Sequence, residues 1–166
     1  MALRIIRTIG DEVLTKKAKE VKSVNDRTRE LIDDMVDTMN DANGVGLAAP
    51  QVGVLKRIVV INVTDDPEGT IVLINPQILE SDGEQTGNEG CLSVPGKVGI
   101  VTRPEHVVVS FRDRDFNEQT MEAEGLLARA VCHELDHLEG KLYVDLVEGE
   151  LMDVDRGEEE EEQETP

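Results

Sequence analysis

The sequence predicts an α+β fold in which small antiparallel sheets surround one central helix. Three observations carry that expectation. Residues 25–43 and 126–138 hold apolar side chains at helical spacing. The stretch between them consists of β-branched runs separated by turn residues. The second helical segment is apolar around most of its circumference, so other elements must cover it on several sides.

Along the chain, Leu31, Ile32, Met35, Val36 and Met39 form an i, i+3, i+4 stripe with acids and arginines opposite, and Asn43-Gly44 supplies a helix stop. Gly44-Val45-Gly46-Leu47-Ala48-Ala49-Pro50-Gln51 is glycine-rich and reads as extended. Residues 57–63 form a β-branched strand. Asp65-Asp66-Pro67-Glu68-Gly69 turns the chain, so 71–74 returns antiparallel. Further strands are expected at 77–80, 99–102, 106–112 and 120–123. On the second helix Leu126, Ala130, His133 and His137 make one strip, and Leu127, Val131, Leu135 and Leu138 another. Arg129, Cys132, Asp136 and Glu139 keep a narrower polar side, and Gly140 closes the helix. Two histidines on a buried strip are costly unless something satisfies their nitrogens.

At 166 residues the chain fits one domain with a substantial core. Its formal net charge of −19 argues against direct nucleic-acid binding through a basic surface and is read as serving solubility or adaptation to a salty interior. Six carboxylates fall within residues 157–166, a low-complexity stretch with almost nothing to bury, which is expected to be disordered. No apolar run approaches the roughly 18 residues a membrane span needs, and the first residues lack a signal-peptide pattern. The expectation is a cytoplasmic protein without membrane contact. Cys91 and Cys132 are too few for a disulfide scaffold.

The chemistry concentrates in His133-Glu134-Leu135-Asp136-His137. Residues four apart share a helix face, so both imidazoles can reach one metal ion. Glu134 lies roughly 100° round the helix, near that metal without aiming at it, a position suited to a base acting on water. A third ligand must come from elsewhere. His106 sits in a strand-like run and reads as a surface or cross-strand residue. Cys91 is better placed, between glycines that let backbone approach a site closely. Cys132 points roughly 100° away from its neighbour His133 and reads as structural. Gln51 offers an amide donor of the kind an oxyanion hole needs.

Three segments in order, Gly44-Val45-Gly46-Leu47-Ala48-Ala49-Pro50-Gln51, Glu89-Gly90-Cys91-Leu92-Ser93 and His133-Glu134-Leu135-Asp136-His137-Leu138, make the chain resemble the bacterial peptide deformylases over nearly all of residues 1–148. These enzymes remove the N-formyl group from new bacterial proteins. The resemblance implies that Cys91, His133 and His137 hold a metal, natively Fe²⁺, with Zn²⁺, Ni²⁺ or Co²⁺ also suited to the ligand set. It implies Glu134 as general base and acid, and Gln51 with the Leu92 backbone N–H as oxyanion donors. Gly44, Val45, Gly46, Glu89 and Leu92 would contact substrate, with Glu89 facing an arginine for which Arg103 is the candidate. Substrates would be N-formylmethionyl nascent peptides. The implied fold is α+β, antiparallel sheets around the metal-binding helix, with a catalytic domain over 1–150 and an acidic tail over 151–166.

Two departures stand out. The family often has Gln where this chain has Cys132, a change in what supports the first histidine. Its C-terminal segment, where it docks at the ribosome, is usually a basic helix. Here five consecutive glutamates, Glu158 to Glu162, would be repelled by ribosomal RNA, which argues against docking through the tail. Two other readings compete. A zinc endopeptidase would draw its third ligand from a His or Glu downstream, and no His follows His137. A catalytically silent metal- or peptide-binding module would have no chemical use for Glu134 and Gln51.

Overall fold

Asn25 starts the first helix, α1 (Asp26–Asp41), by accepting the Thr28 N–H at 3.0 Å on its side-chain oxygen. The computed structural model describes residues 2–154. Asn43-Gly44 ends α1 as expected: Asn43 adopts φ 56°, its N–H donates to the Asn40 carbonyl at 3.1 Å, and Gly44 N–H reaches the Met39 carbonyl at 2.9 Å. This paired closure delivers Gly44 and Gly46 straight into the first strand.

Among the described residues, eight strands form two antiparallel sheets. In chain order they are β1 (Gly46–Ala48), β2 (Ile58–Ile61), β3 (Ile71–Asp82), β4 (Gln85–Cys91), β5 (Val94–Arg103), β6 (His106–Arg112), β7 (Glu118–Glu124) and β8 (Glu148–Asp153). The larger sheet is ordered β1-β2-β3-β6-β7 and the smaller β4-β5-β8. β2 explains the unbroken apolar run at 58–61. Ile58 and Val60 pack with Leu31, Ile32, Met35 and Met39 of α1. Val59 and Ile61 face the opposite way, onto Val131 and Leu138 of the second helix, α2 (Gly125–Leu138). A strand buried on both faces cannot alternate in polarity. The five-stranded sheet is therefore a middle layer between α1 and α2, and the three-stranded sheet reaches the other side of α2 through Glu89 and Arg103. No helix among the described residues is long and apolar enough to cross a membrane.

The fold departs from expectation in several places. Segments 71–74 and 77–80 belong to one strand, β3, with register shifts on either side of Gln77 and Ile78. Pro76 has no N–H for the ladder, and Asn75, at φ 51°, turns its amide onto the Val21 backbone, accepting at 2.8 Å and donating at 2.7 Å. β1, β4 and β8 were not foreseen as strands. β4 carries two glycines and little β propensity, and it forms because β5 supplies its hydrogen bonds. β8 pairs with β5 as far as Lys97↔Asp153, so residues 151–153 belong to the sheet and not to a disordered tail. The expected disorder of 157–166 lies outside the described residues. On α2, Leu126 is exposed and Arg129 is buried, the reverse of the wheel's polarity.

Gly140 ends α2 in a left-handed conformation, φ 76°, with its N–H on the His137 carbonyl and the Lys141 N–H on the Asp136 carbonyl. A Cβ there would lie 2.5 Å from the Thr15 carbonyl oxygen, which is backbone and cannot rotate away. Gly140→Ala should destabilise the protein by roughly 2 kcal/mol or more, read as a lower denaturant midpoint. An unchanged midpoint would show that the Thr15 segment gives way freely.

Candidate active site

α2 carries the site because it is the helix enclosed by both sheets. One turn apart on it, His133 and His137 are both buried, with ring centroids 5.0 Å apart. Cys91 comes from the end of β4, where the register slips before β5 begins. Its sulfur lies 3.3 Å from His137 Nε2, and one ligand atom from each of Cys91, His133 and His137 falls within 4.8 Å of the others. The sulfur also accepts hydrogen bonds from Ser93 N–H at 3.4 Å and Gln51 Nε2 at 3.6 Å. His106 stands apart, at the surface between Asp82 and Glu122, and Cys132 is a buried thiol pushed up to about 11 by desolvation.

Glu89 orients His133. Its Oε2 accepts from His133 Nδ1 at 2.7 Å, so the imidazole's other nitrogen, Nε2, is left to bind a metal. Arg103 grips the same carboxylate with a fork, Nε to Oε1 at 3.1 Å and NH2 to Oε2 at 2.6 Å, and Arg129 NH1 adds a bond to Oε1 at 2.9 Å. Burial alone would raise the Glu89 pKa; the bonds from His133 and Arg103 outweigh it and hold the carboxyl at about 2. Arg103 NH1 continues to Asp136 at 2.6 Å. With both oxygens hydrogen-bonded, the Glu89 carboxylate supports His133, and the residue also lines the cavity beside the group. Tyr143 completes the surroundings, its ring centroid 5.9 Å from that of His133 and its hydroxyl on the Lys97 carbonyl at 3.2 Å.

Glu134 is buried, and its Oε1 has no partner among the described residues. Desolvation pushes its carboxyl up to about 7 against the opposing pull of His133. Burial also acts to lower the His133 pKa, yet Glu134, Cys91 and Glu89 outweigh it and hold it well above its ordinary value. Burial and the His133 charge press His137 down to about 3. The carboxylates around His133 favour positive charge beside it, and a thiol with two imidazoles is a fitting donor set for a divalent metal.

Gln51 is immobilised by its own turn: Ala48 N–H donates to Oε1 at 2.9 Å, leaving Nε2 directed at Ser93 Oγ, 3.0 Å away, and at Cys91. A cavity of about 430 Å³ opens beside the group, lined by Gly44, Val45 and Gly46 on one side and by Asn88 to Leu92 on another, with Leu126, Arg129 and Ala130 in its wall. Every residue expected in the site therefore lies in or against this cavity, apart from His137, which stands behind Cys91. Ser93, Arg129, Asp136 and Tyr143 were not foreseen. No local signal marked them: on the wheel Arg129 and Asp136 fall on the polar side, outside the histidine strip.

Gly46 approaches Glu134 so closely that a Cβ would lie 2.5 Å from its Oε2. Gly46→Ala should keep the fold and lower kcat by on the order of 10²-fold, because the displaced oxygen belongs to the carboxyl expected to act as the base. Wild-type kcat in a folded Gly46→Ala protein would show that Glu134 moves without consequence.

A buried helix that offers a metal two imidazoles, beside a carboxyl whose pKa is near neutrality, is the working part of a metal-dependent hydrolase. The sequence profile of the polypeptide deformylase family matches residues 3–151, and the chain belongs to that family. It is 64% identical over 154 residues to a peptide deformylase of Agathobacter rectalis, covering 93% of this chain and 96% of the relative. The crystal structure of a peptide deformylase from Legionella pneumophila is similar at a TM-score of 0.87 and 48% identity, over 89% of this chain and 87% of that one. A class I type b peptide deformylase from Acinetobacter baumannii, crystallised with Met-Ala-Ser bound, matches at a TM-score of 0.83 and 34% identity over 88% and 99% of the two chains.

Proposed function

We propose that this chain hydrolyses the N-formyl amide of the initiator methionine on nascent polypeptides through Glu134, Gln51 and the Cys91–His133–His137 group. Deformylation of nascent peptides is the activity of its family. The observation that carries the assignment of residues is the convergence of that group with an uncompensated buried carboxyl and a fixed amide donor at one cavity.

Cys91 Sγ and one nitrogen each of His133 and His137 would hold the metal, natively Fe²⁺, which when bound polarises the formyl carbonyl and acidifies water. Glu134 takes the proton of the attacking water and returns it to the leaving amine nitrogen, and a carboxyl near pKa 7 suits both transfers. Gln51 Nε2 and the Leu92 backbone N–H donate to the oxygen as it gains charge, each worth on the order of 3 kcal/mol. The peptide lies extended between β1 and β4, each the free edge of its sheet and each lining the cavity. Gly44, Val45 and Gly46 line one side of its path, and Leu126 and Ala130 offer apolar surface for the methionine side chain. The protein works in the cytoplasm, its catalytic domain running through β8 to residue 153, without ribosome docking through the acidic tail.

Protein purified anaerobically with Fe²⁺ should release formate from formyl-Met-Ala-Ser and no acetate from acetyl-Met-Ala-Ser, whose extra methyl the site excludes. No formate from folded, metal-loaded protein would shift the reading to a binding module, and cleavage of an unformylated peptide would shift it to an endopeptidase.

A further inference from the structure

We infer that Arg129 is a positioning residue that fixes Glu89 and, through it, the orientation of His133 towards a metal; the inference rests on the metal reading of Cys91, His133 and His137. Gly125, Arg129 and His133 lie at successive i, i+4 positions of α2 and meet Gln85 and Glu89, four apart on β4. Gln85 Nε2 donates to the Gly125 carbonyl at 2.7 Å, Arg129 NH2 to the Gln85 carbonyl at 3.4 Å, Arg129 NH1 to Glu89 Oε1 at 2.9 Å, and His133 Nδ1 to Glu89 Oε2 at 2.7 Å. Helix and strand are thus fastened rung by rung, and the last rung is the metal ligand itself.

Arg103 does not make Arg129 redundant. It belongs to β5, the neighbour of β4, so its fork ties the carboxylate within its own sheet. Part of its charge is also committed to Asp136. Without Arg129, Oε1 would keep only the 3.1 Å bond from Arg103 Nε, the longest of the four on this carboxylate. The Glu89 side chain could then rotate, with His133 its one remaining direct hydrogen bond to α2 among the described residues and Arg103–Asp136 an indirect link. A metal ligand whose support swings loses affinity typically 10- to 100-fold. Burial of Arg129, its side chain 9% exposed, also needs a reason, because a desolvated charge is retained only where it is paired. The Glu89 carboxylate is that partner.

The experiment loads wild type, Arg129→Gln and Arg129→Lys with Zn²⁺ and follows transfer of the metal to a chromogenic chelator, with folding checked by circular dichroism. R129Q should lose Zn²⁺ about 10- to 100-fold faster than wild type, and R129K, which keeps charge without the fork, at an intermediate rate. In the Co²⁺-loaded proteins the visible absorption bands should shift in R129Q, a readout that a merely structural role would leave alone. Folded R129Q that releases Zn²⁺ at the wild-type rate overturns the inference. Should R129Q not fold, R129K decides, and release at the wild-type rate overturns it equally. A wild-type protein that holds no Zn²⁺ overturns the metal reading itself, and this inference with it.

Discussion

Glu134→Ala should lose turnover by on the order of 10³- to 10⁴-fold while keeping its metal and its fold. The size of the loss follows from the carboxyl's surroundings. It is buried beside the Gly46 backbone and desolvation holds its pKa near 7, where it can take a proton from water and return it to the amine at neutral pH. The metal should stay because the ligand group is Cys91, His133 and His137, without Glu134. Stability should rise or hold, since Oε1 is a desolvated acceptor with no partner among the described residues, and alanine removes that cost. Activity that falls while thermal stability holds or improves is the mark of a residue kept for chemistry against the interest of the fold. Formate release, metal content after dialysis and a melting curve read all three. Substantial residual turnover in the metal-loaded variant would sink the assignment of the base.

The same trade explains what could and could not be read in the chain. α1 and α2 were legible because their apolar spacing and stop residues are local: Asn25, Asn43-Gly44 and Gly140 act on their own neighbours. β2 was legible because burial on both faces writes an unbroken apolar run. β4 and β8 were not, since Gln85 to Cys91 and Glu148 to Asp153 gain their strand character from β5, a partner that no local pattern names. In the site, Cys91, His133, His137, Glu134 and Gln51 could be picked out by chemical type and spacing, and the structure gathers them at one place. The supporting ring of Ser93, Arg129, Asp136 and Tyr143 could not. Arginine and aspartate on a helix wheel read as a solvent face until a buried Glu89 from another sheet is known to meet them.

Cys91→Ala should abolish both metal retention and formate release, and it separates ligand chemistry from folding better than either histidine would. His133 and His137 are packed inside α2, whereas Cys91 is half-buried at a strand end, so losing one sulfur leaves the core intact. The metal-free variant should therefore melt close to metal-free wild type. The difference appears on adding Zn²⁺. Wild type gains stability as RT ln(1 + [L]/Kd), about 2.7 kcal/mol at a hundredfold excess over Kd, and its melting point rises accordingly. With two imidazoles left, and with Ser93 N–H and Gln51 Nε2 deprived of the sulfur they face, the variant should show almost none of that rise. Cys91→Asp should fall between, because a carboxylate can ligate but is a harder donor than thiolate. A full Zn²⁺-dependent rise in Cys91→Ala would show that the metal sits elsewhere, and the active site would then have to be rebuilt around that other position.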